Sequence, residues 1–329
     1  MIKEYKINTI VLHITTVCNH SCPFCYFTSN DIPKRHQSYA ILRRIISECA
    51  EAGAKDILFV GGDPATHPNI IDISNFAHEL GMQTAILSNT LEFNERTKNE
   101  VINAFDFIET TIHSHDAKLH DDFCGYKGAF DKVIRNLSSL ASIKTHLGIV
   151  YNLTQFTYDN LFNTVNSLVV THKIPLDHIV LQRIVEVGRA SNNDSWNLSV
   201  NNLQSVFLQA DNLRKKLSIS ISFEDTFPYC KIPIEYRDMY SRPCSWGYDC
   251  CSLDLDGNVS LCCTDPNYDL GNIFRTPLLQ IWNHNEKLTK KRNGLYIPET
   301  CRACKDYQKC RGGCILSSIM NNGNGDKII

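Results

Sequence analysis

A chain of 329 residues with 43% hydrophobic and 21% charged side chains has the composition of a globular protein with one large domain and a smaller one. A net charge of −2 argues against nucleic acid as a partner. No apolar run approaches the roughly 18–20 residues of a membrane helix, and the N-terminal M-I-K-E-Y-K-I-N lacks the apolar core of a signal peptide, so a cytoplasmic protein is expected.

In chain order, an apolar run (Ile10, Val11, Leu12, Ile14) reads as a buried strand leading into T-T-V-C-N-H-S-C-P-F-C-Y, residues 15–26. Residues 37–52 carry Ile41, Ile45, Ile46 and Cys49 on one helical face, with Gly53 as the stop and Cys49 as a small core residue. A strand at 56–60 and a helix over 70–80 follow, then strands at 84–87, 107–111, 146–151 and 178–182 with helical segments between them. This alternation predicts an α/β fold. Its parallel sheet has helices outside, is closed or partly closed as a barrel, and carries the chemistry at the carboxyl ends of its strands. Residues 191–202 are polar and aperiodic and read as a boundary. The expected units are therefore a barrel core over 1–190, a connection over 191–243 with a helix near 203–217 and a strand at 219–223, and a cysteine-rich unit over 244–329.

Fifteen cysteines without a secretion signal do not suit a disulfide framework. All but Cys49, Cys124 and Cys230 fall within 18–25 or 244–314, which makes metal binding the economical reading. Cys18, Cys22 and Cys25 are spaced C-x3-C-x2-C. Soft thiolates select zinc, copper(I) or iron–sulfur clusters. A structural zinc site wants four ligands, whereas a cubane held by three cysteines keeps one iron open for a small molecule. A zinc knuckle with a distant fourth ligand is the rival.

The loops after the strands hold the other candidates. Gly61, Gly62, Asp63 and Pro64 follow the second strand, where glycines let backbone approach a ligand and Asp63 can also cap a helix. Ser88, Asn89 and Thr90 follow the third, and His113, His115, Asp116, His120 and Asp121 the fourth, the two histidines at i, i+2 allowing a second metal. Cys124 lies in the same stretch without an evident partner, and Arg189 in V-G-R-A follows the sixth strand as a cofactor contact or a solvated charge. Further on, Asp256-Gly257 reads as a tight hairpin turn that brings Cys250 or Cys251 near Cys262 or Cys263. The run Cys301-x2-Cys304-x5-Cys310-x3-Cys314 taken alone also suits a four-cysteine zinc site.

The C-x3-C-x2-C loop after a first strand, flanked by Phe24 and Tyr26, resembles the radical S-adenosylmethionine superfamily. That resemblance implies a [4Fe–4S] cluster on Cys18, Cys22 and Cys25 whose fourth iron chelates S-adenosylmethionine, and reductive cleavage to a 5′-deoxyadenosyl radical. G-G-D-P resembles the family's G-G-E-P, with Asp63 one methylene shorter, and implies contact with the cofactor through Gly61, Gly62, Asp63 and Pro64. Ser88 and Asn89 fall where members present polar groups to the ribose. The pair at 120–121 with Gly128-Ala129-Phe130, and the G-R-A around Arg189, also match. The second cysteine array, with L-G-N-I at 270–273 and Ile281-Trp282, resembles the SPASM-type extension. It implies one auxiliary cluster on Cys244, Cys250, Cys262 and Cys314, and another on Cys301, Cys304 and Cys310. The family's last cysteine lies downstream of the position of Cys314 and has no counterpart in residues 315–329, so an open site, an unusual ligand or no second cluster is expected.

The implied activity is radical modification of a precursor peptide, an oxidative cross-link first. Epimerisation, a small-molecule (aminoglycoside-type) reaction and a non-catalytic metal-stabilised scaffold are the alternatives. For epimerisation, Cys230 in F-P-Y-C-K, or Cys124, would donate a hydrogen atom. A flavodoxin or ferredoxin reductant is implied, and because the first strand begins at once, leader recognition is expected from a separate leader-binding partner or from the barrel itself.

Overall fold

The computed structural model describes residues 4–93, 98–142, 146–191, 193–265 and 267–328. Seven strands run parallel in sequence order: β1 (Thr9–His13), β2 (Asp56–Val60), β3 (Gln83–Leu87), β4 (Phe107–Thr111), β5 (His146–Leu153), β6 (His178–Arg183) and β7 (Ser220–Phe223). The expected strand runs match these to within two residues at either end. The helices between them include α1 (Tyr39–Glu51), α2 (Ile70–Glu79), α3 (Lys98–Ala104), α4 (Ala117–Cys124), α5 (Ala129–Ala141), α6 (Leu161–Asn166) and α7 (Val200–Leu217).

Local chemistry sets these elements. Helix α1 starts where Ser38 accepts from the Ile41 N–H, and it ends before Gly53, whose φ is +92°. Its buried face is Leu42, Ile45, Ile46 and Cys49, so Leu42 takes the place expected for Ile41, which is only half-buried. Each such aliphatic side chain contributes about 1.5–3 kcal/mol by leaving water. Along β1, Ile10 and Leu12 enter the main core with α1, while Val11 and His13 face the concave side of the sheet.

The sheet does not stop at β1. The strand β8 (Cys250–Leu253) pairs parallel with it, Thr9 opposite Cys250 and Leu12 opposite Leu253. The expected hairpin turns at Gly257 (φ +75°) into β9 (Asn258–Ser260), and β10 (Gly271–Asn272) forms the edge, giving ten strands in the order β10-β9-β8-β1-β2-β3-β4-β5-β6-β7. The cysteine-rich half thus extends the barrel sheet. It also shares its core, since Leu253, Trp282 and Ile315 pack in one cluster with Ile10, Leu12 and Ile45. At the other end, the C-terminal segment returns to β6, where buried Asp326 receives both Nη atoms of Arg183 at 2.9 and 2.6 Å.

Candidate active site

The cysteine loop leaves β1 and is clasped by three later loops through its backbone. From the β2 loop, Gly62 N–H donates to the Thr15 carbonyl at 2.8 Å and Asp63 N–H to that of Val17 at 2.7 Å. From the end of α4, the Cys124 carbonyl accepts from Ser21 N–H at 2.9 Å. From the β6 loop, Arg189 N–H donates to the Cys25 carbonyl at 3.0 Å. A Cβ on Gly61 or Gly62 would collide with the Thr15 or Val17 carbonyl. The close approach these glycines permit is to the cysteine loop, and both also line the cleft above it.

The side chains expected near a cofactor mostly serve the same scaffold. Asp63 is buried; one oxygen accepts from Ala65 N–H at 2.9 Å and Ser88 Oγ at 2.8 Å, the other from Asn89 N–H at 2.9 Å. Burial nevertheless pushes its carboxyl up to about 6, the hydrogen bonds only partly offsetting it. Pro64 opens the short helical turn that Asp63 caps. Ser88 and Asn89 line the cleft, but Ser88 Oγ also accepts from Thr90 N–H, and Asn89 bonds Asn19 and the Leu91 N–H. Arg189 reaches back, its Nη1 donating to the Cys22 carbonyl and its Nε to Asp31, each at 2.8 Å.

Above this scaffold lies a cleft of about 1110 Å³, open on one side. Cys18, Cys22 and Cys25 all line it, and the ends of β2 to β7 contribute Gly61, Ser88, His113, Asn152, Gln182 and Asp225. Desolvation raises Cys18 to about 12, and it raises Cys22 further with help from the neighbouring thiolates. As bare thiols these groups resist ionising, and bound cations would reverse that. The Cys18 sulfur already accepts from His20 N–H at 3.4 Å. Among the described residues, Nε2 of His20, Nδ1 of His113 and Nη2 of Arg189 are buried without a hydrogen-bond partner, and the first two residues line the cleft. Soft donors beside unsatisfied polar atoms fit a cluster with a polar organic ligand.

The histidines of the β4 loop pack instead of converging. His120 Nδ1 accepts from His113 N–H at 3.2 Å and its Nε2 lies 3.3 Å from the Cys124 sulfur, while His115 contacts Thr164. Burial lowers His120 to about 4. Cys124 lines the cleft; Cys230 does not, lying exposed on the turn Tyr229–Lys231. Cys230, expected as a possible hydrogen donor, sits where Pro228 and Tyr229 pack toward Lys309 and Gly313.

A second, more enclosed pocket collects Cys244, Cys262 and Cys314. Cys250 packs against Cys244 and Cys262 beside Trp246. Buried Lys291 points its Nζ at the Cys244 sulfur at 3.9 Å, a cation suited to thiolates. Asp225 and Thr264 line both cavities and form the wall between them. Burial holds Asp225 at about 6, and burial with the adjacent Asp225 raises Glu224 to about 7. Cys251 and Cys49 are core residues, whereas Cys263 sits beside Cys262 and acts on Tyr26 and Tyr268. Asp225, Thr264, Gln182 and Lys291 were not among the expected site residues. Only Gln182 carried a local signal, as the end of a predicted strand.

A model of the radical SAM superfamily matches residues 12–167, and one of an iron–sulfur cluster-binding domain, SPASM, matches residues 244–305. The chain carries a radical SAM domain followed by a SPASM domain. Its two domains imply [4Fe–4S] clusters. The AdoMet-dependent heme synthase of Nitratidesulfovibrio vulgaris is 25% identical, over 96% of this chain and 89% of its own length. The PqqA peptide cyclase of Ruegeria pomeroyi is 23% identical, over 96% and 84%. Streptococcus suis SuiB bound to precursor peptide SuiA superposes with a TM-score of 0.76 at 16% identity, over 94% of this chain and 72% of that one. The structure of anSMEcpe with bound AdoMet gives 0.70 at 15%, over 94% and 86%. At these identities the solved structures establish the shared fold. No described helix is long and apolar enough to cross a membrane.

Proposed function

We propose that this radical SAM enzyme modifies a precursor peptide in the cleft above Cys18, Cys22 and Cys25, forming an oxidative cross-link. When bound there, a [4Fe–4S] cluster and S-adenosylmethionine would supply a 5′-deoxyadenosyl radical for hydrogen abstraction, the hard chemistry being theirs. The chain's residues hold and shield. Gly61 to Asp63 and Arg189 fix the cysteine loop, while His20 and His113 offer unpaired polar atoms to the ligand. The observation that carries the oxidative reading is the shared wall. Asp225 and Thr264 separate the cleft from the pocket of Cys244, Cys262 and Cys314 by one layer of side chains. Cys244, Cys262 and Cys314 would hold an auxiliary cluster that supplies an electron acceptor, and Asp225, pushed up to about 6 and lining the cleft, is suited to take the proton. A flavodoxin or ferredoxin as reductant and a separate leader-binding protein complete the proposal, with a cytoplasmic setting for fifteen free cysteines.

One observation favours a second reading. Cys124 lines the cleft with its thiol kept protonated by burial, so it could return a hydrogen atom in an epimerisation. Mass spectrometry of a reconstituted reaction with candidate peptides separates the two. A loss of about two mass units marks the cross-link, and deuterium uptake from heavy water at unchanged connectivity marks epimerisation. Formation of heme, the product in the heme synthase relatives' name, with no change to any peptide would refute both.

A further inference from the structure

Away from the cleft, two distant parts of the chain that carry four cysteines pack together. Cys301 and Cys310 lie on the helical turns Glu299–Arg302 and Tyr307–Cys310, with Cys304 between them. The fourth is Cys230, on the turn Tyr229–Lys231. Its neighbours dock it there. Lys309 Nζ donates to Tyr229 Oη at 2.8 Å and sits 4.5 Å from the centre of that ring, so the residue before Cys230 grips the residue before Cys310. On one side Ser241 Oγ donates to the Lys309 carbonyl at 3.1 Å; on the other, a Cβ on Gly313 would come within 3.0 Å of Pro228. Arg237 fastens the turn by donating to the Cys230 carbonyl at 3.2 Å and the Ile232 carbonyl at 2.8 Å.

The contact between Tyr229 and Lys309 sets Cys230 and Cys310, each the next residue in the chain, on facing turns. None of the four is in a disulfide, and Cys304 Sγ accepts from Asp306 N–H at 3.4 Å. Among the described residues no three Cys, His, Asp or Glu side chains converge as ligands of a single ion. Zinc would need sulfurs drawn to about 2.3 Å from one point, whereas a cluster several ångströms across takes thiolates that stand further apart.

We propose that Cys230 is the fourth ligand of a second auxiliary iron–sulfur cluster held by Cys301, Cys304 and Cys310. The proposal rests on the iron–sulfur reading of the chain and answers the question of the missing ligand from upstream. It also removes Cys230 as a hydrogen donor. With four thiolates the cluster has no open iron, so it does not bind substrate.

The test uses the anaerobically reconstituted full chain. Cys230→Ser is expected to lose about four iron atoms per chain, as is Cys304→Ser, with no further loss in the double variant. In the wild type, iodoacetamide followed by peptide mapping is expected to leave Cys230 unlabelled while iron is bound, and to label it once the clusters are stripped. This second measurement needs no variant and stands even if Cys230→Ser is insoluble. Wild-type iron in Cys230→Ser, equal labelling of Cys230 with and without iron, or zinc in this site would each overturn the proposal. If Cys18, Cys22 and Cys25 are protected by iron while Cys230 is not, only this assignment fails. If no cysteine is protected by iron, the enzyme reading fails with it.

Discussion

The buried pair of Arg183 and Asp326 anchors the C-terminal segment on the barrel, and Asp326→Ala measures how firmly. Arg183 and Asp326 side chains are 6% and 0% exposed, and the pair is bidentate at 2.9 and 2.6 Å. The same carboxylate accepts from Cys314 N–H at 2.8 Å and Ser317 Oγ at 3.1 Å. Removing one partner of such a pair costs about 3–5 kcal/mol, because the other charge stays buried. Asp225 still acts on Arg183 through space, which favours the lower end of that range, about 3 kcal/mol. At about 1.4 kcal/mol per factor of ten, the segment from Cys314 onward should open more than a hundredfold more often. Amide hydrogen exchange over residues 314–320 reads that opening directly. Arg183→Met with Asp326→Leu removes both charges and is expected to recover most of the loss. Acceleration below about fivefold in the single variant, or a double variant exchanging as fast as the single, would refute the reasoning.

Gly62→Ala drives a methyl into the Val17 carbonyl and should cost about 1–3 kcal/mol while emptying the Cys18–Cys25 site; unchanged iron there would contradict the clasp. Asp63, raised from its ordinary value to about 6 by burial, stabilises the fold fully below about pH 4, and that contribution is lost as pH rises through 6. Urea midpoints from pH 4 to 7 should carry that slope in the wild type and not in Asp63→Asn; equal slopes would exclude Asp63 as its source. Cys314→Ala takes a thiol from the cavity of Cys244 and Cys262 and should release about four iron atoms or give insoluble protein. A soluble variant with full iron would separate Cys314 from that site.

Elements governed by local pattern were legible in the sequence. The strands at 56–60 and 107–111 coincide with β2 and β4, and the Asp256-Gly257 turn forms its hairpin. What escaped is set by long-range packing. Nothing local in C-C-S-L says that Cys250–Leu253 pairs parallel to a strand some 240 residues earlier. The glycines of G-G-D-P were legible as a close-approach site, but not that the approaching group is the Thr15–Val17 backbone. Arg189 read as a charge near the cofactor, and its bonds to the Cys22 carbonyl and Asp31 appear only once β6 lies across the cysteine loop. Cys230 had no motif around it, because its neighbours arrive from residues 301–313 through space.

The most direct test of the central claim is 5′-deoxyadenosine formation by the anaerobically reconstituted chain given S-adenosylmethionine and a low-potential reductant, beside a Cys18→Ala/Cys22→Ala/Cys25→Ala variant. The wild type is expected to hold iron and sulfide and to release 5′-deoxyadenosine, while the variant keeps its auxiliary iron and releases none. A wild type that holds only zinc and leaves S-adenosylmethionine intact, or a triple variant that cleaves it as fast as the wild type, would contradict the account.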